Sequence, residues 1–141
     1  MITGRPPVTD RVLIDSNIWI DCFRNKKSSN VEHVISLIRK SEGYICRIIL
    51  AELFVGAKSD KESTLIEEYS SGLNILETTT NDYINAGVLG CKMRKNGITI
   101  PLPDLIIAEI CIVRDLSIYT TDKHFDIICK YSKLKKYISP Q

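Results

Sequence analysis

Short β-branched runs alternate with helical apolar stripes from one end of this sequence to the other, and that alternation restricts the fold more than any other feature. Arg11-Val12-Leu13-Ile14 reads as a buried strand ending at Asp15. Ser16-Asn17 then start a helix whose apolar face is Ile18-Trp19-Ile20 with Cys22-Phe23. After a polar loop, Val31, Val34, Ile35 and Ile38 mark a second helix ending near Gly43. Tyr44-Ile45-Cys46 follows as a strand, and 48–57 and 60–71 follow as helices, the latter closed by Gly72. Leu73-Asn74-Ile75-Leu76 is strand-like. Residues 80–96 form an amphipathic helix with Gly97 in the capping position. Pro101-Leu102-Pro103 reads as rigid and extended, and Asp104 opens a helix running to Arg114. The predicted order closes with a strand over 116–120, a helix over 124–131 and an edge strand over 134–138. Strands that alternate with helices imply an α/β sandwich around a mostly parallel sheet.

At 141 residues the chain has room for one core, so residues 11–141 are expected to form a single domain behind a flexible extension over 1–10. A net charge of +2 gives no whole-protein field, so any polyanion must be met by a local patch. Five scattered cysteines without a C-x-x-C pair, and two histidines, argue against a zinc site or a disulfide framework. Reduced thiols, no signal-like N-terminus and no run near the roughly 18–20 apolar residues of a membrane span make the cytoplasm the expected location.

Four acids stand out by context. Asp15 ends an apolar strand, and Asp122 follows one. Asp104 sits in the first turn of the apolar helix Leu105-Ile106-Ile107-Ala108. Glu52 is set inside the run Ile48-Ile49-Leu50-Ala51-Glu52-Leu53-Phe54-Val55. Ligands bind at the carboxyl edge of an open parallel sheet, where Asp15 and Asp122 would both lie. Several carboxylates in one pocket repel unless protonated, paired or bridged by a hard cation. No Lys or Arg is placed as consistently as these acids, so an oxygen-rich site for Mg²⁺ or Mn²⁺ and phosphodiester hydrolysis follow.

Each acid also has an ordinary structural explanation. Asp15 and Asp122 suit helix N-caps, and Asp104 after Pro103 suits a helix start. Glu52 fits least well with a surface role, although an ion pair with Arg47 or Lys58 is an option. Asp21 and Glu109 read mainly as solvated, Trp19 as core, and His124 as a surface residue rather than a general base. Lys92, Arg94 and Lys95 read as a solvated face or, if nucleic acid is cut, as phosphate contacts together with Lys123.

Leu13-Ile14-Asp15-Ser16-Asn17-Ile18-Trp19-Ile20, Ala51-Glu52-Leu53 with Gly56-Ala57, Pro101-Leu102-Pro103-Asp104-Leu105-Ile106-Ile107-Ala108 and Thr120-Thr121-Asp122-Lys123-His124-Phe125 resemble, in that order, the blocks of PIN-domain ribonucleases. More narrowly, they resemble the VapC toxins of toxin–antitoxin pairs. The resemblance implies a PIN-like three-layer α/β/α sandwich and an acidic quartet of Asp15, Glu52, Asp104 and Asp122 holding Mg²⁺ or Mn²⁺. It also implies supporting roles for Ser16, Asn17 and Thr120. The implied activity is endonucleolytic cleavage of tRNA or rRNA loops by a homodimer that a cognate antitoxin holds inactive. An RNA-processing nuclease of the same fold without an antitoxin is the nearest alternative. A haloacid dehalogenase-type enzyme would place Asp where Asn17 stands. A phospho-accepting signalling domain would place Lys near the late strand end occupied by Asp122. No Gly-rich phosphate loop is present.

Overall fold

Five parallel strands form the centre of the molecule: β1 (Val12–Ile14), β2 (Gly43–Cys46), β3 (Asn74–Leu76), β4 (Ser117–Tyr119) and β5 (Lys135–Lys136), in the spatial order β3-β2-β1-β4-β5. The computed structural model describes residues 10–139. The extension expected over 1–10 lies, apart from Asp10, outside the described residues. Seven helices join the strands: α1 (Ser16–Arg24), α2 (Ser29–Arg39), α3 (Arg47–Val55), α4 (Asp60–Ser71), α5 (Thr80–Lys95), α6 (Leu102–Arg114) and α7 (Lys123–Tyr131). Helices α1 to α4 pack on one another, as do α5 to α7, giving the two outer layers of an α/β/α sandwich.

The burial pattern explains the strand order. Val12, Leu13 and Ile14 of β1 are all fully buried, as a central parallel strand covered on both faces requires. The edges are polar or short. Strand β5 presents Lys135 and Lys136, whose ammonium groups pair with Asp115 at 2.6 Å and Asp126 at 2.8 Å. Trp19 belongs to the core as expected. It is 1% exposed, its indole N–H donates to the Ile14 carbonyl at 3.1 Å, and its ring stacks on Phe23.

Two expectations change in detail. Pro101-Leu102-Pro103 is not an extended segment ahead of the helix. Pro101 is the N-cap of α6, and Leu102 and Pro103 are its first two residues. Proline is tolerated there because the first helical N–H groups have no intrahelical partner, and its fixed φ already suits the helix. The last strand is confined to Lys135–Lys136 rather than spanning 134–138.

Helices α5 and α6 form an antiparallel hairpin. Gly97, with φ +79°, turns the chain at the end of α5, and a Cβ on Gly90 would lie 2.7 Å from Leu105 Cδ1, so the glycine admits close packing. The other end of the hairpin is closed by Asp82, 2% exposed. Its carboxylate accepts from the Thr79 N–H at 2.7 Å and from two nitrogens of Arg114 at 2.9 and 3.3 Å. Burial pushes its pKa up, but Arg114 and the Thr79 cap outweigh burial and leave it below the usual value. Asp82→Asn is expected to lose about 2–3 kcal/mol in urea unfolding at pH 7, since it leaves Arg114 short of a partner. Because the native pKa is depressed, this deficit is complete above the unfolded value of roughly 3.9 and shrinks as pH falls through the native one. A deficit that does not change with pH would contradict the ionic account.

Candidate functional site

Strands β1 and β4 lie side by side, and the chain proceeds outward from them in opposite directions, so their carboxyl ends form the switch point of the sheet. Asp15 leaves β1 there as the N-cap of α1, and Asp122 leaves β4 as the N-cap of α7. Asp104 arrives in the first turn of α6. Glu52 arrives on α3.

Asp15 is 4% exposed and held on several sides. Its Oδ1 accepts from the Ser16 N–H at 2.8 Å. Its Oδ2 accepts from the Thr120 hydroxyl at 2.7 Å and the Asn17 amide at 3.3 Å. Thr120 Oγ1 in turn accepts from the Asp122 N–H at 3.0 Å and Asn17 Nδ2 at 3.2 Å, while Asn17 Oδ1 accepts from the Thr121 N–H at 3.3 Å. One hydroxyl thus uses its donor and both acceptor positions to tie the ends of β1 and β4 together.

The carboxylates share one field. Asp15 is pushed up first by burial, opposed by the Thr120 and Ser16 hydrogen bonds, then pushed further by the charges of Asp104 and Asp122. Asp104 is raised by burial, partly relieved by His124, and raised again by Asp122. Glu52 is exposed as a residue, yet partial desolvation of its carboxyl and then Asp15, Asp104 and Asp122 all raise its pKa. The Glu52 carbonyl accepts the Gly56 N–H at 3.0 Å, but its carboxylate accepts no hydrogen bond among the described residues. Neither cation considered for it forms an ion pair with it: Arg47 pairs with Glu77, and the charge of Lys58 helps to lower the pKa of Glu62.

His124 departs from expectation. Its side chain is 41% exposed, but it is not merely a surface residue: Nδ1 lies 2.9 Å from Asp104 Oδ2 and 3.4 Å from Asp122 Oδ1. One ligand atom from each of Asp104, Asp122 and His124 lies within 4.8 Å of the others, a spacing that suits one cation. The carboxylate-rich donor set, with no Lys or Arg among it, fits a divalent metal. The sequence signal that points to His124 is its place two residues after the Asp122 cap, in the first turn of a helix that starts at the site.

The basic residues are dispersed. Lys123 is exposed directly after Asp122. Arg94 shares a surface depression with Leu102 and Leu105, close in sequence to Asp104. Lys95 is exposed in the same last turn of α5. Lys92 instead reaches the Tyr131 carbonyl at 3.4 Å, at the opposite end of α7 from Asp122. Ser16 contributes its backbone N–H to Asp15. Asp21 accepts from Ser28 and Asn30 in the α1–α2 turn, and Glu109 is buried in α6.

Comparison with known proteins gives the family and the fold. The PIN-domain family model matches residues 12–131. A chain of the DNA-bound VapBC structure from Salmonella typhimurium superposes with a TM-score of 0.78 at 24% identity, covering 91% of this chain and 97% of that one. A chain of Rickettsia felis VapBC2, bound to a DNA fragment from its promoter, gives 0.76 at 22% identity, covering 89% and 96%. FitAcB from Neisseria gonorrhoeae gives 0.64 at 18% identity, covering 90% and 96%. At these identities the likeness shows the fold. No curated protein sequence matches the chain.

The crowding of charge has a consequence for stability. Glu52→Gln removes one of four repelling charges and no hydrogen bond. In metal-free protein at pH 8 it is expected to raise the melting temperature by ~1–3 °C. Since the native pKa of Glu52 is raised, the gain is present where Glu52 is ionised and disappears as pH falls below both native and unfolded values. Excess Mn²⁺ should reverse the order, stabilising wild type more than the variant. Melting curves with and without the metal check both signs.

Proposed function

From the premise that the chain belongs to the PIN-domain family, whose members are generally nucleases, we propose that it is a metal-dependent endoribonuclease and the toxin of a toxin–antitoxin pair. The observation that carries this reading is the convergence of Asp15, Glu52, Asp104 and Asp122, from four separate elements, on the switch point of the sheet. Mg²⁺ or Mn²⁺, when bound there, supplies positive charge against phosphate oxygens and makes water a competent nucleophile at neutral pH. Asp15, Asp104 and Asp122 would hold the ion, with Glu52 joining directly or through water.

The chain's own groups fix the arrangement. Thr120 and Asn17 donate to Asp15 Oδ2, leaving the carboxylate oriented by two side chains rather than free to rotate. Ser16 holds the other oxygen through its N–H. Lys92, Arg94, Lys95 and Lys123 supply a sequence-blind grip on phosphates, with Lys92 at the far end of α7 from Asp122. Substrates in this reading are single-stranded loops of tRNA or rRNA in the cytoplasm, whose splayed bases bring the backbone within reach of an open edge. Among the described residues no helix is long and apolar enough to cross a membrane.

Partners follow from the exposed apolar faces. Tyr83, Ile84 and Val88 of α5 with Leu102 of α6 are each at least half exposed and suit a homodimer. Phe54 and Val55 follow Glu52 on α3, and Val55 is 88% exposed. A partner seated on them would cover the approach to Glu52, which is what inhibition by an antitoxin requires. Relatives of this fold named above are VapBC complexes.

Purified protein, free of any antitoxin, is expected to cut total tRNA or rRNA into discrete fragments with Mg²⁺ or Mn²⁺ and to stop in EDTA. Asp15→Asn should lower the rate by at least ~10²-fold while leaving the circular dichroism spectrum unchanged. Equal cleavage by wild type and Asp15→Asn would falsify the site. Val88→Asp should shift the protein from dimer to monomer in light scattering; a dimer that persists would place the interface elsewhere.

A further inference from the structure

We propose that His124 is itself a metal ligand through Nδ1, so that the site offers a mixed nitrogen–oxygen donor set and binds Mn²⁺ in preference to Mg²⁺. The inference rests on the reading that the acidic pocket holds a divalent cation, and it concerns which of this chain's atoms would touch it. Two observations carry it. The first is spacing. Neighbouring ligands of an octahedral cation with bonds of about 2.0–2.1 Å stand roughly 2.8–3.0 Å apart, and slightly more for a larger ion. Nδ1 of His124 is 2.9 Å from Asp104 Oδ2 and 3.4 Å from Asp122 Oδ1, and one donor atom from each of the three residues lies within 4.8 Å of the others. These are the separations of atoms that surround one ion.

The second observation is how the ring is held. The Asp122 carboxylate accepts the backbone N–H of His124 at 2.9 Å, so the cap that starts α7 also fixes the histidine relative to Asp122. Asp104 comes from the first turn of α6, which packs against α7. His124 is therefore carried by the same rigid element as one acid and set against the element that carries another. The ring is open enough for exchange with solvent, and the buried Phe125 that follows it anchors the turn in the core.

The chemistry separates two metals. Mg²⁺ prefers oxygen ligands and keeps its waters, whereas first-row transition ions bind imidazole well. A neutral nitrogen also adds a bond without adding a fifth negative charge to the pocket. Without the ion, the same Nδ1 faces the acids as a hydrogen-bond partner, so the ring needs no large movement to ligate.

Metal binding measured without RNA tests this. Full-length wild type, His124→Gln and a control at the other histidine, His33→Gln, which lies on α2 with Nδ1 3.5 Å from the Tyr119 hydroxyl, are titrated with MnCl₂ and with MgCl₂ by calorimetry, and the Mn²⁺-loaded proteins are examined by pulsed electron paramagnetic resonance. The expected result is a directly bonded ¹⁴N coupling in wild type and His33→Gln that is absent from His124→Gln. His124→Gln should also weaken Mn²⁺ by about tenfold or more and Mg²⁺ by less than about twofold. The wild-type spectrum is informative even if the variant misfolds. Mn²⁺ that binds wild type without ¹⁴N coupling overturns the proposal and leaves an all-oxygen nuclease site standing. Failure of wild type to bind either metal overturns the proposal and the metal-dependent nuclease reading together.

Discussion

The pairing of β1 with β4, locked at its carboxyl end by Thr120, is the contact on which the rest of the site depends. The Thr120 hydroxyl bridges 105 residues of sequence to Asp15, and the Asp15 N–H returns a bond to the Tyr119 carbonyl at 2.9 Å. With these strands adjacent, two helices must start at the same place, α1 from Asp15 and α7 from Asp122. The sheet order then leaves space above the switch point that α6 and α3 close with Asp104 and Glu52. A single non-local strand pair thereby turns four acids scattered over the sequence into one cluster.

The acids serve the fold and the site at once. Asp15 and Asp122 are N-caps, and Asp104 lies in a first helical turn, so three of the four satisfy or face helix N-termini. The structural and the chemical explanations of these residues are therefore both true. The caps stabilise their helices, while mutual repulsion and burial raise Asp15 and Asp104. Stability surrendered to a charged pocket is a familiar feature of functional sites. Glu52 has no cap to provide, and burial first, then the charges of Asp15, Asp104 and Asp122, raise its pKa with no hydrogen bond to offset them.

Most elements could be read from the sequence because their signals are local. The helix Asp60–Ser71 is found at the expected bounds because a Ser59 cap and Gly72 mark its ends. The central strands are legible as apolar runs, since parallel strands covered on both faces are continuously apolar, whereas the edge strand β5 is the exposed pair Lys135–Lys136. Pro101-Leu102-Pro103 misled because two prolines suggest extension, whereas the first turn of a helix accepts them equally well. Glu52 was noticed for standing in an apolar run, on the assumption that the run is buried. In the structure Phe54 and Val55 of that run are exposed, so the anomaly belongs to a surface suited to a partner as much as to the acid. His124 reads from the sequence as a surface residue rather than a general base because nothing in its neighbours reveals Asp104, twenty residues earlier and on another helix. Contacts between helix starts are set by topology, which a pass along the chain does not weigh.

The charge balance of the cluster also bears on how many cations it can hold. Four ionised carboxylates bring four negative charges. Three helix N-termini each oppose them with roughly half a positive charge. The remainder is on the order of two to two and a half negative charges, close to what one divalent ion neutralises. His124 contributes a neutral donor when it ligates, so it leaves this balance intact. A second divalent ion would leave the pocket with an excess of positive charge unless further anionic groups accompanied it, and a phosphodiester backbone carries them. In the proposed site, then, the charge balance fits one ion in the resting protein and couples any second electrostatically to the arrival of the substrate.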